Sequence, residues 1–221
     1  DVYVEIDAPD ETILNYVPID DGRPLTKAEL AALHSTGELD ANLSVEEKQI
    51  VELFFKSYVH NYRKTVERFL KRSELYMPFV EQVFRERGLP VELSCLAYVE
   101  SGFNPNAVSR AGAGGMWQFM PYTGRKYGLS QDRWIDERRD PYKATHAAAD
   151  YLTKLYEYFN KDWHMAIAAY NAGEGKIGRA LAGTDAKTFF ELCRKNGMLN
   201  SKAQLKEETQ QYLPRFLAFT K

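Results

Sequence analysis

The stretch Pro90-Val-Glu-Leu-Ser-Cys-Leu-Ala-Tyr-Val-Glu-Ser-Gly102 decides how this 221-residue chain is read. Pro90 suits the first turn of a helix, because its missing amide would be unpaired there anyway, and Gly102 supplies the left-handed stop. Between them Leu93, Leu96, Ala97 and Glu100 follow the i, i+3, i+4, i+7 spacing of a buried helical stripe. A carboxylate on that stripe is unusual. Burial penalises its charged form and raises its pKa, so a glutamic acid placed there holds a proton near neutral pH and can donate it. Position alone leaves a commoner alternative open: a helix-end glutamate turned to solvent or paired with an arginine.

Helix signals extend outward in both directions. Thr26 with Glu29, and Ser44 with Glu47, match the capping box, in which side chains satisfy the orphan amides of a helix start. The second box opens a long predicted helix in which Ile50, Phe54, Tyr58, Val66, Phe69 and Leu70 recur at helical spacing until Pro78 breaks it after Met77. A further helix runs to about Arg87 and stops at Gly88. Downstream, Asp140, Asp162 and Asp185 each stand where an N-cap is expected. Nothing alternates at period two and no repeat is present, so the expected fold class is mainly α. Residues 1 to about 25 read as an extended arm. Residues 1–60 form an N-terminal arm and helical extension, predicted to pack on the remainder, residues 61–221, through Ile50, Phe54 and Tyr58.

Composition narrows the function classes. Hydrophobic residues at 44% and charged residues at 27% describe a globular protein. The net charge of −2, without a basic cluster, argues against nucleic acid as a partner. Cys95 and Cys193 lack metal-site spacing and read as separate buried thiols rather than a bridge. No apolar run reaches the length of a membrane span, and no signal peptide opens the chain. A start at Asp1 without Met suggests a processed fragment from which targeting information has been removed.

Ser101 through Gln131 contains no Asp or Glu, so any second carboxylate must come from elsewhere. Glu174 is the nearest downstream candidate and reads as a surface residue. Ser109-Arg-Ala-Gly-Ala-Gly-Gly-Met-Trp-Gln-Phe-Met-Pro121 packs glycines that permit close backbone approach. It is not a phosphate loop, since no Lys-Ser/Thr follows and no strand precedes it. Trp163 to Asn171 reads as an amphipathic helix with Trp163, Ile167, Tyr170 and Asn171 on one face, ended by Gly173.

Taken in order, Glu100-Ser101, Ser109-x-x-Gly-Ala-x-Gly-Met-Trp-Gln118, Ala169-Tyr170-Asn171 and Glu208-Thr-x-x-Tyr212-Leu-Pro make the sequence similar to the lytic transglycosylases with a soluble-type, lysozyme-like catalytic domain. It most resembles their membrane-bound D branch, which Leu89-Pro-Val-Glu-Leu, Trp134 and Asp136-x-Arg-Arg-Asp140 also match. The resemblance covers roughly Tyr62 to the C-terminus. It implies a lysozyme-like catalytic domain with an N-terminal helical extension, Glu100 as sole catalytic acid and base, and Ser101 as its support. Ser109, Gln118 and Met120 would line the sugar groove, Tyr170 and Asn171 would flank the reactive sugar, and Tyr212 would pack toward the acid. Met116-Trp117 departs from the wider Leu-Met pattern, a change of bulk expected to reshape a subsite beside Gln118. No sugar-binding repeat appears within these residues.

The implied reaction cleaves the bond between N-acetylmuramic acid and N-acetylglucosamine in peptidoglycan and closes a 1,6-anhydro ring, without metal or cofactor. Most glycosidases use two carboxylates; a single acid suffices if the sugar's own C6 hydroxyl is the nucleophile. Two alternatives stay open: a muramidase that admits water, and a non-catalytic scaffold that binds glycan. The expected partner is the glycan strand. A monomer is expected, in the periplasm or cell envelope, with outer-membrane anchoring supplied by a segment outside this chain.

Overall fold

The protein, described by a computed structural model over residues 22–221, is built of helices; among the described residues, β-pairing is limited to isolated bridges such as Val108 with Gly114 and Gly114 with Phe119. Residues 1–21, most of the expected N-terminal arm, lie outside the described residues. Both capping boxes form: Thr26 opens α1 (Lys27–Leu33), and Ser44 opens α2 (Val45–His60). The long predicted helix is interrupted at Asn61–Tyr62, giving α2 and then α3 (Arg63–Ser73). Pro78 does not end the pattern but lies in the first turn of α4 (Met77–Glu86), where a proline costs no hydrogen bond.

The decisive stretch divides as well. Pro90 leads into a 3-10 turn over Val91–Cys95, which hands over to α5 (Leu96–Ser101). Leu93, Leu96 and Ala97 are fully buried, as their spacing predicts. Gly102 ends α5 at φ +58°, and a Cβ there would lie 2.3 Å from the Phe69 ring, so both conformation and space call for glycine. α6 (Pro121–Lys126), α7 (Pro141–Tyr158), α8 (Trp163–Ala172), α9 (Glu174–Ala182), α10 (Phe189–Arg194) and α11 (Glu207–Phe219) complete the chain.

Asp140 caps α7 by accepting from the Tyr142 and Lys143 amides, and Asp162 caps α8 through the Met165 amide. Asp185 caps nothing. Thr188 is the N-cap of α10, its hydroxyl accepting from the Glu191 amide at 3.2 Å, while Asp185 pairs with Lys195 at 2.6 Å. α10 starts three residues later than Asp185 requires, and the threonine adjoining its first turn takes the cap.

One core runs from Leu39 to Ala218. α2 and α11 pack together, with the Phe219 ring 4.3 Å from Tyr58 and stacked at 5.3 Å on Tyr98 of α5. The extension therefore packs as predicted, but through Val51, Phe54, Phe55 and Tyr58. Ile50 is 37% exposed and lies off the stripe, because the face is centred one residue further on. Cys95 and Cys193 are free, and burial pushes both thiols up to about 12. Pro214 within α11 frees the carbonyl of Gln210, toward which the Cys193 thiol points at 3.9 Å.

Arg138 fixes the glycine-rich loop. Its side chain is 4% exposed and donates to the Gly112 carbonyl at 2.7 Å and the Phe119 carbonyl at 2.9 Å, while its other nitrogens pair with both oxygens of Asp136. At Gly115, φ +80°, a Cβ would come within 1.7 Å of the Arg138 carbonyl oxygen. Arg138→Met removes the guanidinium, taking its bonds from the Gly112 and Phe119 carbonyls and leaving Asp136 with only the residue 138 amide and Gln131, so it is expected to lower stability by about 3–5 kcal/mol. The midpoint of urea denaturation measures this; a loss under about 1 kcal/mol would mean that the loop holds itself.

Candidate active site

A cleft of about 450 Å³ opens where α5, the glycine-rich loop, α6, α7, the end of α8 and the start of α11 meet. Its lining includes Glu100, Ser109, Gln118, Met120, Tyr170 and Asn171, all predicted from the sequence. Four residues apart on α11, Glu208 and Tyr212 share a face, Glu208 in the cleft wall and Tyr212 buried beneath it.

Glu100 stands in the last turn of α5, partly buried. Its Oε1 accepts a hydrogen bond from the Tyr212 hydroxyl. Burial raises its pKa from 4.5 to about 8; the Tyr212 bond opposes the rise and the nearby Glu208 charge adds to it. Burial thus favours the protonated carboxyl at neutral pH, and the placement of Glu100 in the cleft against Tyr212 replaces the alternative of a glutamate turned to solvent.

The other walls are held by bonds that the sequence does not spell out. Gln118 adopts φ +50°, a conformation that costs a non-glycine residue about 1–3 kcal/mol and is held only where its surroundings fix it. Here its side-chain amide donates to the Gly115 carbonyl at 2.8 Å. The Ser109 hydroxyl accepts from the Ala113 amide at 3.0 Å, so it braces the loop from within. Tyr170 donates to the Trp117 carbonyl at 2.9 Å, tying α8 to the same loop. Asn171 is oriented by two partners on α11: Thr209 donates to its carbonyl at 2.9 Å, and its amide donates to Glu208 at 3.3 Å.

Two expectations change. Ser101 is buried and absent from the cleft wall; its hydroxyl donates to the Met116 carbonyl at 2.8 Å and accepts from the Asn104 amide at 3.1 Å. It ties the acid's helix to the loop rather than touching the acid. Met116 and Trp117, expected to reshape a subsite, face the core at 1% and 0% exposure, with the Trp117 indole donating to Thr145 at 3.0 Å. Their bulk fills the interior behind the loop.

Thr123, Tyr151 and Glu208 line the cleft without having been singled out as site residues. Glu208 was detectable, since it lies one helical turn before Tyr212. Tyr151 sits in an alanine-rich segment that carries no local signal. Glu174 is half-buried at the cleft's edge, accepting from Tyr151 at 3.4 Å. Among the described residues, no group of three or more His, Cys, Asp or Glu side chains could hold a metal ion.

A family model described as the transglycosylase SLT domain matches residues 78–192. Membrane-bound lytic murein transglycosylase D of Escherichia coli K12 is 37% identical over 183 residues, covering 81% of this chain and 36% of that protein. A putative tributyltin chloride resistance protein of an Alteromonas species is 36% identical over 111 residues, covering 50% of this chain and 54% of the relative. The chain thus spans little more than a third of the transglycosylase's length and about half of the second relative's. The 70 kDa soluble lytic transglycosylase of Escherichia coli shares the fold at a TM-score of 0.53 and 19% identity, over 85% of this chain and 30% of that one. The lytic transglycosylase Slt of Pseudomonas aeruginosa does so at 0.51 and 20%, over 94% and 38%. The family model spans more than half of the sequence, and the predicted helical fold is the one found, so the chain belongs to the transglycosylase SLT-domain family.

Proposed function

We propose that this protein is a peptidoglycan lytic transglycosylase, with Glu100 as its catalytic acid and base. The observation that carries the reading is Glu100 itself: a carboxyl group facing a sugar-sized cleft, protonated up to about pH 8 and bonded by Tyr212. Residues 61–221 form the catalytic unit in this reading and residues 1–60 its extension, whose helix α2 packs on α11. The cell envelope is the matching location, as the membrane-bound relatives' names suggest.

Glu100 gives its proton to the oxygen bridging N-acetylmuramic acid and N-acetylglucosamine. The bond from C1 to that oxygen breaks, its electron pair leaves with the oxygen, and positive charge develops on the muramoyl ring. Glu100 is now ionised, the form that the Tyr212 hydrogen bond stabilises. It takes the proton of the C6 hydroxyl as that oxygen attacks C1, closing the 1,6-anhydro ring and restoring the acid. Gln118, Tyr170 and Asn171 hold the sugars, each fixed by a bond to the backbone or to α11.

Glu208 gives a muramidase its one structural foothold, because a second carboxylate in the cleft could direct water to C1. Product mass separates the two readings. Digestion of purified sacculi is expected to release anhydro-ended muropeptides; ends heavier by one water would identify a hydrolase, and no release at all a glycan-binding scaffold.

Glu100→Gln is expected to abolish turnover while leaving glycan binding intact. It should also stabilise the fold. Between pH 4.5 and about 8 the folded wild type keeps a proton that the unfolded chain releases, so wild-type stability falls as pH rises across that window. Thermal melts should show the Gln variant's advantage growing from pH 4.5 to 8; a constant difference would mean that Glu100 titrates normally. Tyr212→Phe removes the bond to the ionised form, so it should move the alkaline limb of the rate profile upward and lower kcat by roughly tenfold. An unmoved limb would contradict the role given to Tyr212.

A further inference from the structure

Between α6 and α7 the chain closes a tight hairpin over residues 130–137. At its base the Glu137 amide donates to the Ser130 carbonyl at 2.9 Å, and the Ser130 amide donates to the Glu137 carboxylate at 2.7 Å. At its tip the Asp132 carboxylate accepts from the Trp134 amide at 2.7 Å and the Ile135 amide at 2.9 Å, while the Asp132 amide donates to the Ile135 carbonyl at 2.9 Å. The backbone of the tip is therefore fixed. Its side chains nevertheless stand in water, Trp134 at 84% and Ile135 at 58% exposure. Scattered exposed hydrophobes need no explanation, but two adjacent ones on a braced tip do. The bracing removes conformational freedom without burying either side chain, which is the arrangement of a surface prepared for a partner.

The base of the hairpin is joined to the cleft wall. Asp136 pairs with Arg138, whose guanidinium also donates to the Gly112 and Phe119 carbonyls. Phe119 lines the cleft, and Gly112 stands between Ala111 and Ala113, which line it too. Leu129, which leads into the hairpin, donates to the Gly124 carbonyl of α6 at 2.9 Å, next to the cleft residue Thr123. Summed along the chain and these bonds, the Cα of Trp134 lies at most about 20 Å from that of Gly112. A glycan strand is far longer than a cleft of about 450 Å³, and a strand leaving it on this side meets the hairpin next.

The chemistry of the tip suits a sugar ring. A pyranose presents C–H bonds on its flat faces and hydroxyls at its edge, and an indole face is apolar and carries the negative part of the ring quadrupole. The Arg133 guanidinium lies 5.3 Å from the Trp134 ring centroid, and the ring is otherwise open to solvent. Asp132 and Arg133 cancel in charge, so the tip lacks the cationic excess that an anionic lipid surface attracts. Sugar stacking requires none.

We infer that Trp134 is a stacking site for sugars of the glycan strand beyond the cleft, giving the enzyme a preference for long strands. The inference rests on the proposed activity for the identity of the strand. Trp134 binds the polymer and touches no reacting atom.

The test is a binding measurement in the Glu100→Gln background, with a tetrasaccharide that fills the cleft and with long strands from purified sacculi. Trp134→Ala should raise Kd for long strands about fivefold, the scale of one exposed aromatic contact, and leave the tetrasaccharide Kd and the melting midpoint where they were. Trp134→Tyr should recover most of the loss, and Trp134→Leu, apolar but without a ring, should not. A Kd that rises equally for both ligands, or for neither, overturns the inference, as does recovery by leucine. Loss of binding to phosphatidylglycerol vesicles with an unchanged strand Kd would overturn it in favour of a lipid contact. A wild type that binds long strands yet releases no anhydro ends sinks the transglycosylase reading and leaves the Trp134 comparison standing.

Discussion

The hydrogen bond from the Tyr212 hydroxyl to the Glu100 carboxyl joins two helices that are more than a hundred residues apart in the chain, α5 and α11. Everything else in the site is arranged around that joint. α11 also presents Thr209 and Glu208 to Asn171, so one helix orients both the acid and the residue that would hold the reacting sugar. α2 in turn packs against α11, and Phe219 closes the aromatic contact among α2, α5 and α11. α2 accordingly bears on the cleft through the position of α11, although it contributes no residue to it.

The joint carries an electrostatic tension. Burial favours the protonated acid, as does the charge of Glu208, while the Tyr212 bond favours the ionised form. In the proposed reaction the group is acid in one step and base in the next, and both influences serve it. Burial alone would hold the proton more tightly, and the hydrogen bond alone would release it more readily. The pKa near 8 is the balance between them. Its cost falls on stability, as is common where a buried ionisable group serves function.

The glycine-rich loop is held from three sides. Arg138 grips its carbonyls, Ser101 ties it to the acid's helix, and Tyr170 ties it to α8. Trp117 fills the core behind it and leaves only its carbonyl to meet Tyr170. Gln118 can therefore sit in a backbone conformation that a free loop would abandon.

The sequence by itself determined the helical class, both capping boxes, the Asp140 and Asp162 caps, the buried stripe under Glu100 and the Gly102 stop. All of these rest on contacts within a few residues, where spacing and capping chemistry act directly. The ordered motifs also placed Gln118 in the sugar groove, Tyr170 and Asn171 beside the reactive sugar and Tyr212 against the acid; the first three line the cleft and Tyr212 bonds Glu100. Local pattern failed where two nearby signals competed, as at Asp185 and Thr188, or where the centre of a helix face decided burial, as at Ile50. Only the tertiary structure could decide the inward turn of Met116 and Trp117, the bond of Ser101 to the loop, and the convergence of Thr123, Tyr151 and Glu208 on one cleft. Each of those depends on how separate helices pack, and helix packing is set by long-range contacts that no local spacing encodes.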